Sequence, residues 1–148
     1  MNLNDSLNQM SKDLLDFFFP RHCPFCGRVS EKALLCGQCA RTLPRCAEVR
    51  TGPFGECAAP LYYEDAVRDA LLAFKFRGKV ENLNCFGALM AETAASAFAD
   101  RFDAVTWTPV SRKRLKKRGF DQSRMLCAGL CVDWHTQPLE TLRKTRDN

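Results

Sequence analysis

The sequence lacks a hydrophobic run of the ~18–20 residues that a membrane-spanning helix needs. Its N-terminus also lacks the basic region and the small-residue cleavage site of a secretory signal. We therefore predict no membrane insertion and a cytoplasmic location. Low-complexity tracts are absent as well, and a chain of 148 residues with 46% hydrophobic and 26% charged side chains is typical of one ordinary domain, or of one small module with part of another.

Net positive charge is confined to one region of the sequence. The net charge is +5, but residues 105–131 hold seven basic side chains against the single acid Asp121, so the rest of the chain sums to −1. Such a localised patch predicts a localised anionic partner such as phosphate groups, with a merely solvated surface run as the alternative. The basic residues are Arg112, Lys113, Arg114, Lys116, Lys117, Arg118 and Arg124.

Cysteine is abundant, and four of the nine cysteines form two pairs. Because the count is odd and no secretory signal is found, metal-bound thiolates in a reducing compartment explain it better than disulfides. Cys23 and Cys26 form one Cys-x-x-Cys pair, and Cys36 and Cys39 form the other. Four thiolates at this spacing predict a closed, tetrahedral and therefore structural Zn²⁺ site, with a redox pair as the alternative.

The other cysteines lack such partners. We expect Cys46 and Cys57 to be buried free thiols, with remnants of a second ribbon as the alternative. Cys85, Cys127 and Cys131 fall in helical segments and are expected in the core.

The periodicity of apolar residues gives a coarse order of elements. It predicts an amphipathic helix over 5–19, a connector over 47–60, a short strand from Leu61, helices over 65–76 and 83–101, a strand over 102–110 and a helix over 121–134. This order indicates an α/β layer architecture.

The basic run follows the strand predicted over 102–110, so we expect it to form a loop at the strand's carboxyl end, where open α/β sheets place ligands. Clustered Arg and Lys side chains suit phosphate or pyrophosphate, Gly119 permits a backbone conformation that other residues avoid, and Asp121 is a candidate N-cap of the next helix. The candidate residues for binding phosphate, pyrophosphate or nucleic acid are Ser111, Arg112, Lys113, Arg114, Lys116, Lys117, Arg118 and Gly119. We assign no catalytic residue.

The sequence carries three landmarks in order. They are the two Cys-x-x-Cys pairs, then Tyr63 with 70–78 (ALLAFKFRG), then Thr108-Pro109-Val110 with 118–123 (RGFDQS). Together they resemble the ComF family of competence and DNA-utilisation proteins, and the resemblance extends from about Leu14 to Asn148.

The resemblance implies an N-terminal zinc ribbon followed by a type I phosphoribosyltransferase-like α/β domain with a parallel sheet. The expected domains are a helix over 1–19, the zinc-ribbon module and connector over 20–60, and the N-terminal part of the phosphoribosyltransferase-like domain over 61–148. The implied function is that of an accessory protein in the uptake or utilisation of single-stranded DNA during natural competence. The implied partners are single-stranded DNA or a phosphorylated small molecule, and competence-machinery proteins such as a ComF-type helicase.

The sequence departs from the family pattern in three places. Ser111 stands where the family often has proline, and Asp121 replaces the asparagine of the Arg-Gly-Phe-Asn-Gln motif. No Asp-Asp-x-x-Thr-Thr-Gly-like run, which would bind the phosphate of phosphoribosyl pyrophosphate, occurs in the sequence. We therefore expect a C-terminally truncated family member with an incomplete sheet. It would be inactive as an enzyme alone and would bind phosphoribosyl pyrophosphate only in a full-length form. The alternatives are a free-standing zinc-ribbon module that binds nucleic acid, an active phosphoribosyltransferase, against which the missing phosphate loop argues, and a non-functional remnant.

Overall fold

The computed structural model describes residues 20–30, 33–98 and 101–145. The chain divides into two compact units, one ending at Thr42 and one beginning at Leu43. The helix predicted over 5–19 lies outside the described residues. Within the described ranges, no helix has both the length and the apolar character that crossing a bilayer requires.

The first unit consists of a tight turn and a short helix, each carrying one cysteine pair. His22 and Val29 form an antiparallel bridge across the turn, which is closed at its base by a 2.8 Å hydrogen bond from the Ser30 N–H to the Arg21 carbonyl. Helix α1 then spans Gly37–Thr42.

The second unit begins with a two-stranded antiparallel hairpin, in a segment for which the sequence predicted only a connector. Strand β1 (Val49–Gly52) pairs with β2 (Gly55–Ala58). The chain on either side of the hairpin is also paired, since Arg45 and Leu61 form an isolated bridge. The strand predicted to start at Leu61 is therefore reduced to this single bridge.

Two of the predicted helices follow. Helix α2 (Asp65–Phe76) buries Val67, Ala70 and Phe74 on one face, as the periodicity indicated. It ends before Gly78, whose φ of 66° is in the left-handed region that favours glycine. After a 3₁₀ turn over Val80–Asn82, helix α3 spans Leu83–Phe98, slightly shorter than predicted.

The core of the second unit lies between α3 and helix α5 (Gln122–Asp133). Gly87 allows their backbones to approach closely, because a Cβ atom built on it would lie only 2.6 Å from the carbonyl carbon of Gly129. Ala91, Cys127, Leu130 and Cys131 form a buried cluster here, with Trp107 and Trp134 packed against it.

The segment predicted as a strand over 102–110 belongs to no sheet in the described residues. It makes isolated contacts instead: the Leu139 N–H donates to the Val105 carbonyl at 2.8 Å, and the hydroxyls of Thr141 and Thr106 are 2.7 Å apart. Side chains with a high β propensity are not sufficient to form a strand, because the backbone N–H and C=O groups also need hydrogen-bond partners on a neighbouring strand. The described sheet is thus small and antiparallel, and the fold is a zinc ribbon followed by mixed helices and strands.

The basic run is a helix, so the prediction of a loop was wrong. Helix α4 spans Arg112–Arg118, with Ser111 as its N-cap, whose hydroxyl accepts from the Arg114 N–H at 3.3 Å. Gly119 follows with φ of 80° and donates its N–H to the Leu115 carbonyl at 2.8 Å. A serine cap and a left-handed glycine therefore fix both ends of the helix.

Candidate metal centre and cationic helix

The four paired cysteines converge on one point. The Sγ atoms of Cys23, Cys26, Cys36 and Cys39 all lie within 4.8 Å of one another, and those of Cys26 and Cys36 are 3.6 Å apart. Four Zn–S bonds of about 2.3 Å arranged tetrahedrally require S···S separations of about 3.8 Å. The cluster therefore fits a zinc ion held by four thiolates with no open coordination position.

The pair Cys23 and Cys26 is positioned by a tight turn that includes a backbone conformation few residue types adopt. The Cys23 N–H donates to the Arg28 carbonyl at 2.8 Å, and the Gly27 N–H donates to the Cys23 carbonyl at 2.9 Å. Gly27 has φ of 72°, in the left-handed region. The glycine after the second cysteine thus lets the chain reverse while both sulfurs stay on one side.

The second pair is positioned by the start of α1. Cys36 precedes the helix and Cys39 lies in its first turn, where its N–H points at the Cys36 sulfur 3.4 Å away. The guanidinium of Arg28 donates a hydrogen bond to the Gln38 side chain, which links the two cysteine-bearing segments.

The thiols have unequal acidity because their surroundings differ. The Cys39 N–H, followed by hydrogen bonds from the neighbouring thiols, lowers the pKa of Cys36 to about 6 against the opposing effect of burial. Burial raises the pKa of Cys39, and the adjacent sulfurs raise it further. Packed thiolates repel one another, so a bound divalent cation is what would allow all four to ionise together.

The other cysteines lie elsewhere and differ in exposure. Cys57 is exposed and Cys46 is half-buried, so the expectation that both are buried thiols was wrong. The expectation of buried core thiols is confirmed for Cys85, Cys127 and Cys131. In the part of the chain that the structure describes, the four-cysteine cluster is the only group of three or more His, Cys, Asp or Glu side chains close enough to share a metal ion.

The candidate phosphate-binding residues are brought together on α4. Six of its seven residues are basic, and all of them are exposed except the half-buried Arg118. Ser111 is only 2% exposed and its hydroxyl caps the helix, which makes it a positioning residue. Outside the helix, the guanidinium of Arg124 lies over the Trp107 ring at 5.7 Å.

No acidic side chain in the described ranges pairs with these cations. Asp121, the nearest acid in the sequence, uses its carboxylate to accept backbone N–H groups: Ser123 and Arg124 at 3.0 and 3.1 Å, and Val110 at 3.2 Å. The carboxylate thus caps α5, as predicted, and ties the end of the 102–110 segment to it.

Comparison with known proteins places the chain. A family model for the double zinc ribbon domain matches residues 14–70. Competence protein ComFC of Bacillus subtilis is 30% identical over 112 residues, which is 75% of this chain. The chain belongs to the ComF family. It spans 45% of the length of that curated relative, and no solved structure matches it.

In this ComF-family chain, the ribbon match extends beyond the four-cysteine cluster. It includes the β1–β2 hairpin with Cys46 and Cys57, which favours the alternative that these cysteines are remnants of a second ribbon. The first ribbon keeps four ligands, and four cysteines in a zinc ribbon suggest a structural zinc ion.

Proposed function

We propose that this chain is an accessory protein of natural competence that binds the phosphates of single-stranded DNA through α4. The observation that carries the proposal is a helix with six cations and, in the described residues, no acidic partner. The similarity to a protein named as a competence protein and the zinc-ribbon match support it.

The helix is electrostatically unfavourable in the absence of an anion. Arg112 and Lys116, Lys113 and Lys117, and Arg114 and Arg118 are all like-charged pairs at i, i+4, each costing about 0.2–0.5 kcal/mol. The cations of the first turn also face the positive end of the helix dipole. A chain of phosphates would relieve both costs, because each phosphate would neutralise charge that nothing else in the described residues neutralises.

We further propose that residues 61–148 are the N-terminal part of a phosphoribosyltransferase-like domain. On this view phosphoribosyl pyrophosphate is a ligand only of a longer form, and the present chain catalyses no transfer alone. Titration calorimetry on the chain extended by the corresponding C-terminal segment of a longer ComF relative tests this. We expect heat of binding when phosphoribosyl pyrophosphate is added to the extended protein, and none when it is added to the short chain. Binding of phosphoribosyl pyrophosphate by the short chain would overturn the idea.

A free-standing zinc-ribbon module that binds nucleic acid is the alternative, favoured by the match over residues 14–70. An accessory protein of competence would bind DNA in order to pass it to other proteins of the competence machinery. A free-standing module would bind nucleic acid without such a protein partner. Co-purification of the chain with competence-machinery proteins such as a ComF-type helicase is expected under the first function only.

The test of DNA binding uses two variants of equal charge. In the first variant, Lys113, Arg114 and Lys117 of α4 are changed to Gln. In the second, the same change is made at Arg50, Arg68 and Lys79, which are exposed cations outside α4. Fluorescence anisotropy with a labelled oligothymidine at fixed salt is expected to show at least a tenfold loss of affinity for the first variant only. Equal losses for both would mean that net charge, and not α4, attracts the DNA.

A further inference from the structure

We propose that Phe76 and the guanidinium of Arg118 form a stacking platform for an unpaired base of the nucleic acid whose phosphates α4 binds. The inference rests on the proposed function, because it adds a base contact to the phosphate contacts of α4. It concerns two side chains from different helices that the fold brings together: the Cζ atom of Arg118 lies 4.9 Å from the centre of the Phe76 ring.

Phe76 is exposed in a way that packing does not explain. Phe74, two residues earlier, is fully buried, with ring centres 5.7 Å from Phe86 and 5.8 Å from Phe120. Two residues advance a helix by about 200°, so Phe76 faces away from that aromatic core. It is 62% exposed at the end of α2. Leaving so much aromatic surface in water costs free energy that a ligand would recover.

Arg118 is held in place better than the other cations of α4. It is the last residue of the helix and half-buried, and Gly119 with its left-handed φ fixes the helix end immediately after it. Leu115, three residues earlier and 42% exposed, lies on the same helix face. The surface beside the cations is therefore aromatic and apolar, and the Arg118 guanidinium lies over its Phe76 ring.

This combination fits single-stranded nucleic acid better than the other anionic ligands. Proteins that bind single strands combine cations along the backbone with aromatic rings and arginine planes on which bases stack. A duplex keeps its bases in the internal stack, and a free phosphate or sugar pyrophosphate has no base to offer. Phosphate contacts alone would need no exposed phenylalanine at this position.

The test compares two oligonucleotides of about ten residues, a length in the range that one binding site covers. One is oligothymidine, and the other has the same backbone with abasic sites throughout. In the full chain, Phe76→Ala is expected to weaken oligothymidine binding roughly 5- to 20-fold while leaving the abasic strand unaffected. Phe76→Trp is expected to restore binding and to show quenched fluorescence of the new indole when oligothymidine is added.

Phe54→Ala, which removes a fully exposed ring between β1 and β2, is the matched control and is expected to change neither affinity.

The outcomes separate this inference from the proposed function. Equal effects of Phe76→Ala on both oligonucleotides, or none on either, would overturn the stacking platform while leaving phosphate binding intact. If the unaltered chain binds neither oligothymidine nor the abasic strand, the proposed function itself is overturned. Arg118→Lys, which keeps the charge but removes the planar group, is expected to reduce the preference for oligothymidine over the abasic strand. An unchanged preference would remove Arg118 from the platform.

Discussion

The two compact units of this chain are stabilised in different ways. Among the described residues up to Thr42, Phe25 is the only buried apolar side chain other than cysteine. The unit from Leu43 instead buries side chains from three helices, including Phe74, Leu89 and Leu130. Segments of about this length with so little buried apolar surface usually need a metal ion or disulfides, so we expect the fold of the described part of the first unit to depend on the zinc ion. The second unit depends on packing.

The largest effect is expected from removing one zinc ligand. Cys36→Ser leaves three thiolates and an open position, and structural zinc sites contribute about 10–16 kcal/mol of folding free energy in small zinc-binding peptides. We expect loss of the metal, measured by elemental analysis, and unfolding of the first unit. Both tryptophans of the chain, Trp107 and Trp134, lie in the second unit, so its thermal unfolding can be followed separately by their fluorescence. Unchanged metal content in the variant would refute the zinc assignment.

A smaller effect, confined to the second unit, is expected from the contact between α3 and α5. In Gly87→Ala the new Cβ would lie 2.6 Å from the Gly129 backbone, so the helices must separate, at a cost of about 1–3 kcal/mol. Gly129→Ala is the matched control. Its Cβ would meet the Gly87 Cα at 3.4 Å, and the gain in helix propensity of about 0.5–1 kcal/mol offsets the mild crowding.

Tryptophan fluorescence during thermal unfolding measures both variants, and elemental analysis measures their zinc. We expect a lower melting temperature for Gly87→Ala, little change for Gly129→Ala, and full zinc content in both. Loss of zinc from Gly87→Ala would show that the two units do not depend on separate forces.

The cap of α5 is expected to contribute less. Asp121→Ala removes the acceptor of three backbone N–H groups, and losing such a cap costs about 0.5–2 kcal/mol. Asp121→Asn places the asparagine of the family motif here and removes a negative charge next to the cations of α4. Its one oxygen can still accept from the Ser123 and Arg124 N–H groups, but its amide nitrogen cannot accept from the Val110 N–H. We therefore expect a stability between those of the Ala variant and the unaltered chain, and tighter oligothymidine binding, measured by thermal unfolding and anisotropy. Weaker binding by the Asn variant would show that the carboxylate itself serves the site.

The smallest effect is expected from Cys57→Ser, which sharpens the contrast among cysteines. Cys57 is exposed on β2 and is not one of the four clustered thiols. Its replacement should change the free energy of unfolding by no more than about 0.5 kcal/mol. Metal content should equal that of the unaltered chain. A loss of zinc comparable to that of Cys36→Ser would show that the hairpin still holds a metal.

The features that could be predicted from the sequence are those that depend on residues close together in the chain. The four zinc ligands follow from the spacing of two cysteine pairs, and the helices α2, α3 and α5 follow from apolar periodicity, with Asp121 as a cap and Gly78 as a stop. The misjudged segments have different causes. Ser111 and Gly119 bracket α4 as cap and terminator, but the run between them was predicted as a loop because it follows the segment predicted as a strand over 102–110.

Nonlocal pairing explains the rest. The segment over 102–110 has β-forming side chains, but whether it joins a sheet depends on chain that lies far away in sequence. The hairpin of β1 and β2 was missed although Gly52-Pro53 and Gly55 mark its turn, because its short strands are almost entirely exposed and show no apolar alternation. Phe76 was missed as a candidate binding residue. Its signal is the position two residues after the buried Phe74.

The most direct test of the account is the salt dependence of oligothymidine binding. The logarithm of the binding constant falls linearly with the logarithm of salt concentration, with a slope of about 0.7 per phosphate neutralised on a single strand. If the cations of α4 contact phosphates, changing Lys113, Arg114 and Lys117 to Gln should reduce the slope by about 2, because three contacts are lost. The matched changes at Arg50, Arg68 and Lys79 should leave it unaltered. An unchanged slope in the α4 variant would contradict the claim that this helix is where the phosphates bind.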